Sequence, residues 1–195
     1  MVRNGRVLLT WGSVRRPCGV AVREGRGRWR TRVLERRCGP TGAGERSGPV
    51  LPVADGRGAT YVAWTGRTRR GRRAVKFARV GPGASRRALV LSRERGAVLD
   101  DIAAGPHRAL AIAYAAPRPT RRNPLIVSTF AALRRTGGAF GRAQRVTPGG
   151  FAARRGSRIA FHPLTGEPVV AVPFLIGLNV AVAAAVGPAS PAAAP

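Results

Sequence analysis

TYVAW, residues 60–64, is a short apolar strand that ends in a small residue followed by a large one. The same design recurs as VLLTW at 7–11, LAIAY at 110–114 and VVAV at 169–172. Aligning Trp11, Trp64, Tyr114 and Val172 gives spacings of 53, 50 and 58 residues. Recurrence at a period near 50 residues is the mark of a repeat architecture.

Each of these segments is followed by a second apolar strand: GVAVRE at 19–24, AVKFARVGPG at 74–83, LIVSTFAALRR at 125–135 and NVAVAAAVGP at 179–188. AVKFARV and NVAVAAAV alternate with the period of two that a strand requires. A glycine-bearing turn and a third strand come next, in REGRGRWRTRVL at 23–34 and RRTGGAFGRAQRV at 134–146, with Trp29 and Phe140 just after the glycines. VGPGASRRALVLS at 80–92 keeps the glycines and places Ser85 where the aromatic stands. Glycine suits these turns because they require positive φ. A fourth segment leads into the next copy: PVLPVADGRG at 49–58, VLDDIAAGPHR at 98–108 and SRIAFHPLTGEP at 157–168.

The expected fold is therefore all-β, with tandem four-stranded antiparallel units forming a partial or small β-propeller. Residues 1–188 read as a single repeat domain, with repeats near 1–46, 47–97, 98–154 and 155–188, and residues 189–195 as a disordered tail. An immunoglobulin-like sandwich would not repeat internally at this spacing. The chain starts at VLLTW without a preceding strand and ends after a second strand, so the expected strand counts are three, four, four and three. That pattern suggests a truncated longer propeller or one part of an assembly, with open sheet edges that favour association.

Composition bounds function more loosely. Lys+Arg number 35 against 8 Asp+Glu, for a formal charge of +27, and Lys76 is the sole lysine. Arginine in this excess is either the product of a GC-rich coding sequence or a polyanion-binding surface. The loops between the first two aligned strands carry Arg15 and Arg16, then Arg67, Arg69, Arg70, Arg72 and Arg73, then Arg118, Arg121 and Arg122. On a propeller they would share one rim and could grip phosphate, sulfate or carboxylate groups. The opposite rim carries Arg23, Arg26, Arg28, Arg86, Arg87, Arg134 and Arg135, which argues for compositional spread.

Cys18 and Cys38 lie 20 positions apart. They form a disulfide if the protein is exported, or remain two buried thiols. No CxxC spacing or neighbouring His points to zinc, and no cofactor motif is present. Asp100-Asp101 sits in a strand-linking segment; strand neighbours face opposite sides, so the two make a poor catalytic pair and read as a turn cap or exposed charge. His107 and His162 read as turn residues beside prolines. The uncharged stretch Val169 to Gly187 is nearly long enough to cross a bilayer, but Pro173, Gly177 and Asn179 interrupt it and the repeat reads it as two strands. Val7 to Trp11 is too short for a signal-peptide core.

VADGRGATYVAW, LRRTGGAFGRAQRVTPGG and IAFHPLTGEPVVAV resemble repeat units of bacterial β-propeller proteins of sialidase-like architecture. Such propellers often carry an Asp-box, Ser-x-Asp-x-Gly-x-x-Trp. Here the corresponding turns, Glu24 to Trp29 and Arg135 to Phe140, keep glycine and aromatic but lack the Ser and Asp. Sialidase chemistry also implies a Tyr nucleophile, and Tyr61 and Tyr114 both read as packing residues. The resulting expectation is a non-catalytic binding or scaffold module of an exported propeller protein, in the extracellular space or cell envelope. A polyanion binder is the first alternative and a glycosidase-like enzyme the second.

Overall fold

The computed structural model describes residues 2–3, 6–12, 17–36, 38, 50–55, 57–81, 84, 87–118, 127–136, 138–147, 156–176 and 179–186. The expected tail, 189–195, lies outside them.

Four antiparallel sheets follow one another along the chain. The first holds β1 (Val2–Arg3), β2 (Arg6–Trp11), β3 (Cys18–Glu24) and β4 (Arg30–Glu35). The second holds β5 (Val50–Ala54), β6 (Thr60–Arg67), β7 (Arg73–Val80) and β8 (Leu89–Val90). The third holds β9 (Val98–Ala104), β10 (Leu110–Pro117), β11 (Val127–Arg134) and β12 (Gln144–Arg145). The fourth holds β13 (Arg158–Phe161), β14 (Pro168–Ile176) and β15 (Asn179–Val186). In each sheet the strands lie side by side in chain order. Each aligned apolar segment is the second strand of its sheet: β2, β6, β10 and β14. The fold is all-β, a partial β-propeller.

One strand count departs from expectation. β1 precedes VLLTW and pairs with it, Val2 opposite Val7 and Arg3 opposite Arg6. Two residues are too few to show a period; the available signal was Asn4-Gly5 between them, a two-residue hairpin dipeptide. The stretch weighed as a bilayer span is two paired strands, with Val169 opposite Val186 and Ile176 opposite Asn179.

Successive sheets pack face to face. Leu8, Cys18 and Val20 of the first unit meet Val62, Trp64, Ala78 and Val80 of the second. The opposite face of the second unit, with Tyr61, Ala63, Val75 and Phe77, meets Leu99, Ile112, Tyr114 and Phe130 of the third. Ala111 and Ala113 then meet Ile159, Val170 and Val172 of the fourth. Alternate residues of one strand thus face opposite neighbours, which is why β6 and β10 are apolar on both faces. β9 touches both β5 and β13, so the first strands of the second, third and fourth units lie together on one side of the array.

Two joints use one device. Trp64 and Tyr114 are equivalent positions, both fully buried and both facing the preceding unit. Trp64 Nε1 donates to Glu35 Oε2 at 2.9 Å, and Tyr114 Oη donates to Glu94 Oε2 at 2.7 Å. Glu35 is the last residue of the preceding sheet's last strand, β4, and Glu94 follows the last strand of its sheet, β8. Burial pushes the Tyr114 hydroxyl far above its ordinary pKa, and the hydrogen bond and charge of Glu94 add to the shift. The hydroxyl is therefore a fixed donor. Glu35 also accepts from Lys76 Nζ at 2.9 Å and from the Arg67 N–H at 2.8 Å. Gly66 makes room for it, because a Cβ there would collide with the Glu35 carboxylate.

Gly66→Ala is expected to lower stability by about 1–3 kcal/mol, because it evicts Glu35 and leaves the buried indole N–H unmet. Glu35→Ala should cost a similar amount, and the double variant little more than either alone. Urea midpoints at constant m-value measure this; losses that simply add would contradict the shared-acceptor account.

Candidate ligand-binding groove and arginine turns

The strand order puts the β2–β3, β6–β7 and β10–β11 connections at one end of the array. The β3–β4, β7–β8 and β11–β12 turns lie at the other. Arg67, Arg69, Arg70, Arg72 and Arg73 fall together on the β6–β7 hairpin. Its turn is closed by Gly71 N–H to Thr68 O at 2.9 Å and Thr68 N–H to Arg72 O at 2.8 Å, with Gly71 at φ 73°. Arg67 folds back onto Gly71 O at 2.7 Å, while Arg69, Arg70 and Arg72 are exposed. Arg118 stands at the equivalent end of β10, its Cζ 5.9 Å from the centre of the Phe130 ring. Arg15, Arg16, Arg121 and Arg122 lie outside the described residues.

A groove of about 910 Å³ runs between the outer part of the first unit and the second. Val20, Val22 and Val80 give it apolar walls, and Arg28, Arg30 and Arg32 line it. Arg30 pairs across the sheet with Val22 and Arg32 with Val20, so both arginines share the groove face. Arg32 also donates to Arg79 O at 3.3 Å, tying the two walls together. The sequence signal was RWRTR at 28–32, arginine at every second position. It remained unread because the second wall, the end of β7, lies about 50 residues away in the chain.

Asp55, Asp100 and Asp101 turn their carboxylates toward the fold. Asp55 is fully buried and accepts the N–H groups of Arg57 and Ala59, both at 3.0 Å, and Tyr61 Oη at 3.3 Å. Arg108 and Arg134 of the third unit each approach Asp55 Oδ2 to 3.8 Å. Arg134 lies over the Tyr61 ring, 4.5 Å from its centre. The expectation of a turn cap or exposed charge at Asp100-Asp101 is corrected. A register shift between Ala113 and Tyr114 makes a bulge in β9, and both aspartates reach the fourth unit. Asp100 Oδ1 accepts the Gly156 N–H at 3.3 Å and Asp101 Oδ2 the Ile159 N–H at 3.1 Å. Glu24 is paired with Arg6. His162 caps its own turn, Nδ1 accepting the Thr165 N–H at 3.2 Å, and His107 sits in the matching turn of the third unit at φ 50°.

Cys18 and Cys38 are both buried and are paired in the structure, with Cα atoms 5.6 Å apart. That separation lies inside the range a disulfide spans.

No protein-family model and no curated protein matches the chain. Among solved structures it is similar to the crystal structure of a thermostable family-43 glycoside hydrolase, with a TM-score of 0.53 and 12% identity. The match covers 98% of this chain and 68% of that one. The neighbour is a five-bladed β-propeller. At this identity the likeness shows the fold.

Reduction of the Cys18–Cys38 bond should lower stability by about 3 kcal/mol, the loop-closure contribution for a loop of this size. Denaturation with and without reductant measures it, with Cys18→Ser/Cys38→Ser as the reductant-insensitive control. Native protein that alkylates at both thiols without reduction would contradict the bond.

Proposed function

We propose that the protein is a non-catalytic binding module on a β-propeller scaffold, and that its ligand is anionic. The observation that carries this reading is the groove between the first two units, where Arg28, Arg30 and Arg32 stand beside apolar walls. Planar guanidinium groups on alternate strand positions can grip phosphate, sulfate or carboxylate groups in forked contacts. A formal charge of +27 adds a long-range attraction that is not specific to the groove.

Commitment of the acids supports the non-catalytic part. Glycosidases use two carboxyl groups with room for substrate between them. Here Glu24, Glu35, Asp55, Glu94, Asp100 and Asp101 all accept hydrogen bonds from the fold itself. The paired cysteines support an oxidising compartment, in keeping with an exported protein. The sialidase-like character of the units rests on the glycine and aromatic positions of the β3–β4 and β11–β12 turns alone.

A test compares charge-matched double substitutions: Arg28→Ser/Arg30→Ser in the groove, Arg69→Ser/Arg70→Ser on the hairpin, and Arg87→Ser/Arg142→Ser at the opposite end. Heparin affinity is measured at several salt concentrations. The groove pair is expected to lose about tenfold more affinity than the others, while all three reduce the salt slope by about the same amount, near one unit per arginine. Equal affinity losses would defeat the groove site and leave only non-specific attraction.

The structural neighbour favours a second reading, a glycosidase-like enzyme. Asp100 and Asp101, on β9, would then be its acids. Hydrolysis of any member of a panel of aryl glycosides, lost in Asp101→Asn without loss of fold, would establish that reading and displace the first.

A further inference from the structure

Repeat-equivalent positions should have equivalent surroundings, and at one face they do not. Leu9 and Trp11 of β2 match Val62 and Trp64 of β6, Ile112 and Tyr114 of β10, and Val170 and Val172 of β14. Val62, Trp64, Ile112 and Tyr114 are at most 1% exposed, and Val170 and Val172 at most 3%. All six face the preceding unit. Leu9 is 51% exposed and Trp11 39%. The Trp11 ring lies across Gly19, its cross-strand partner, where a Cβ would collide with it. Its Nε1 donates to Pro17 O at 3.1 Å, so the indole already has its polar partner and presents a flat apolar surface.

The far end of the array shows the complement. Val169, Ala171 and Pro173 of β14 match Ala111, Ala113 and Ala115, and Tyr61, Ala63 and Thr65. Those six are all buried; Ala111, Ala113, Tyr61 and Ala63 pack on the following unit, and Thr65 Oγ1 accepts the Leu99 N–H from it at 2.9 Å. Val169, Ala171 and Pro173 are only partly covered. The array therefore has a backward face at one end and a forward face at the other, each of the kind that every internal joint buries.

We infer that these two faces are the walls of a slot for one further four-stranded β-unit of the same repeat, which packs its forward face on Leu9 and Trp11 and its backward face on Val169 and Ala171. One unit is the occupant, rather than a whole second chain, because the four units share the fold of a five-bladed ring and account for four of its blades. The remaining arc has room for about one more blade and would exclude the other three units of a second copy. The inference is independent of the anionic-ligand reading, since neither wall carries an arginine of the groove.

The second unit is the natural probe, because its forward face already packs on Ile112 and Tyr114. The test fuses a second copy of residues 47–97 ahead of Met1 and compares this chain with the native one. Filling the slot should raise Tm by about 5 °C or more and slow hydrogen exchange across residues 6–11 at least tenfold. Leu9→Arg should shift the native chain's Tm by no more than about 2 °C, since the site is open to solvent. In the fused chain the same substitution should cancel the gain, because it buries an unpaired charge. Unchanged exchange in β2 of the fused chain would overturn the proposal. So would a native chain that light scattering finds to be a dimer and that Leu9→Arg makes monomeric, for the slot would then belong to a second copy.

Discussion

The joint between successive sheets depends on a large side chain at the end of the second strand, buried against the unit before it. Trp64 and Tyr114 fill this place in the second and third units and Val172 in the fourth. The two aromatics also carry a polar atom into the joint, and an unmet donor there would offset much of what the ring contributes. Glu35 and Glu94 remove that cost by reaching across from the preceding unit. Apolar burial supplies the energy of the joint, and the hydrogen bond fixes its register. The fourth unit, with Val172, needs no such partner, and its joint is instead held by polar links from β9 and by the 2.9 Å contact of Thr129 with Ser157.

This use of the acids shapes the electrostatics of the whole molecule. The chain has only 8 Asp+Glu, and the commitment of Glu35, Asp55, Glu94, Asp100 and Asp101 to the fold leaves few to neutralise the outer arginines. The exterior field is therefore strongly positive in whatever direction an anion approaches. On the proposed anionic-ligand reading, specificity has to come from shape and from the spacing of guanidinium groups, since charge alone is spread over both ends of the array. The groove offers such a shape, whereas the β6–β7 hairpin offers exposed arginines on a convex turn.

The repeat was legible in the sequence because its physical requirements are coarse: a small residue then a large one at the joint, and glycine where the chain turns. Alignment of Trp11, Trp64, Tyr114 and Val172 placed the second strand of every sheet. The joint chemistry was not legible. Glu35 and Glu94 stand among arginines, where a lone acid looks like a solvated charge, and only the fold brings Trp64 and Tyr114 to them. Asp100 and Asp101 were read by strict alternation, which the bulge in β9 suspends. Arg28 was read as a turn charge and Arg30 and Arg32 drew no reading, because the wall that makes them a groove comes from a different unit.

Native-state hydrogen exchange tests the account at its centre. If burial of the second strand between two neighbours holds the array together, the amides of residues 62–64 and 112–114 exchange slowest and open only with global unfolding. Those of residues 8–10, whose strand is covered on one face, exchange at least tenfold faster. Equal protection of β2, β6 and β10 would contradict the claim that the two-sided joint is what stabilises each unit.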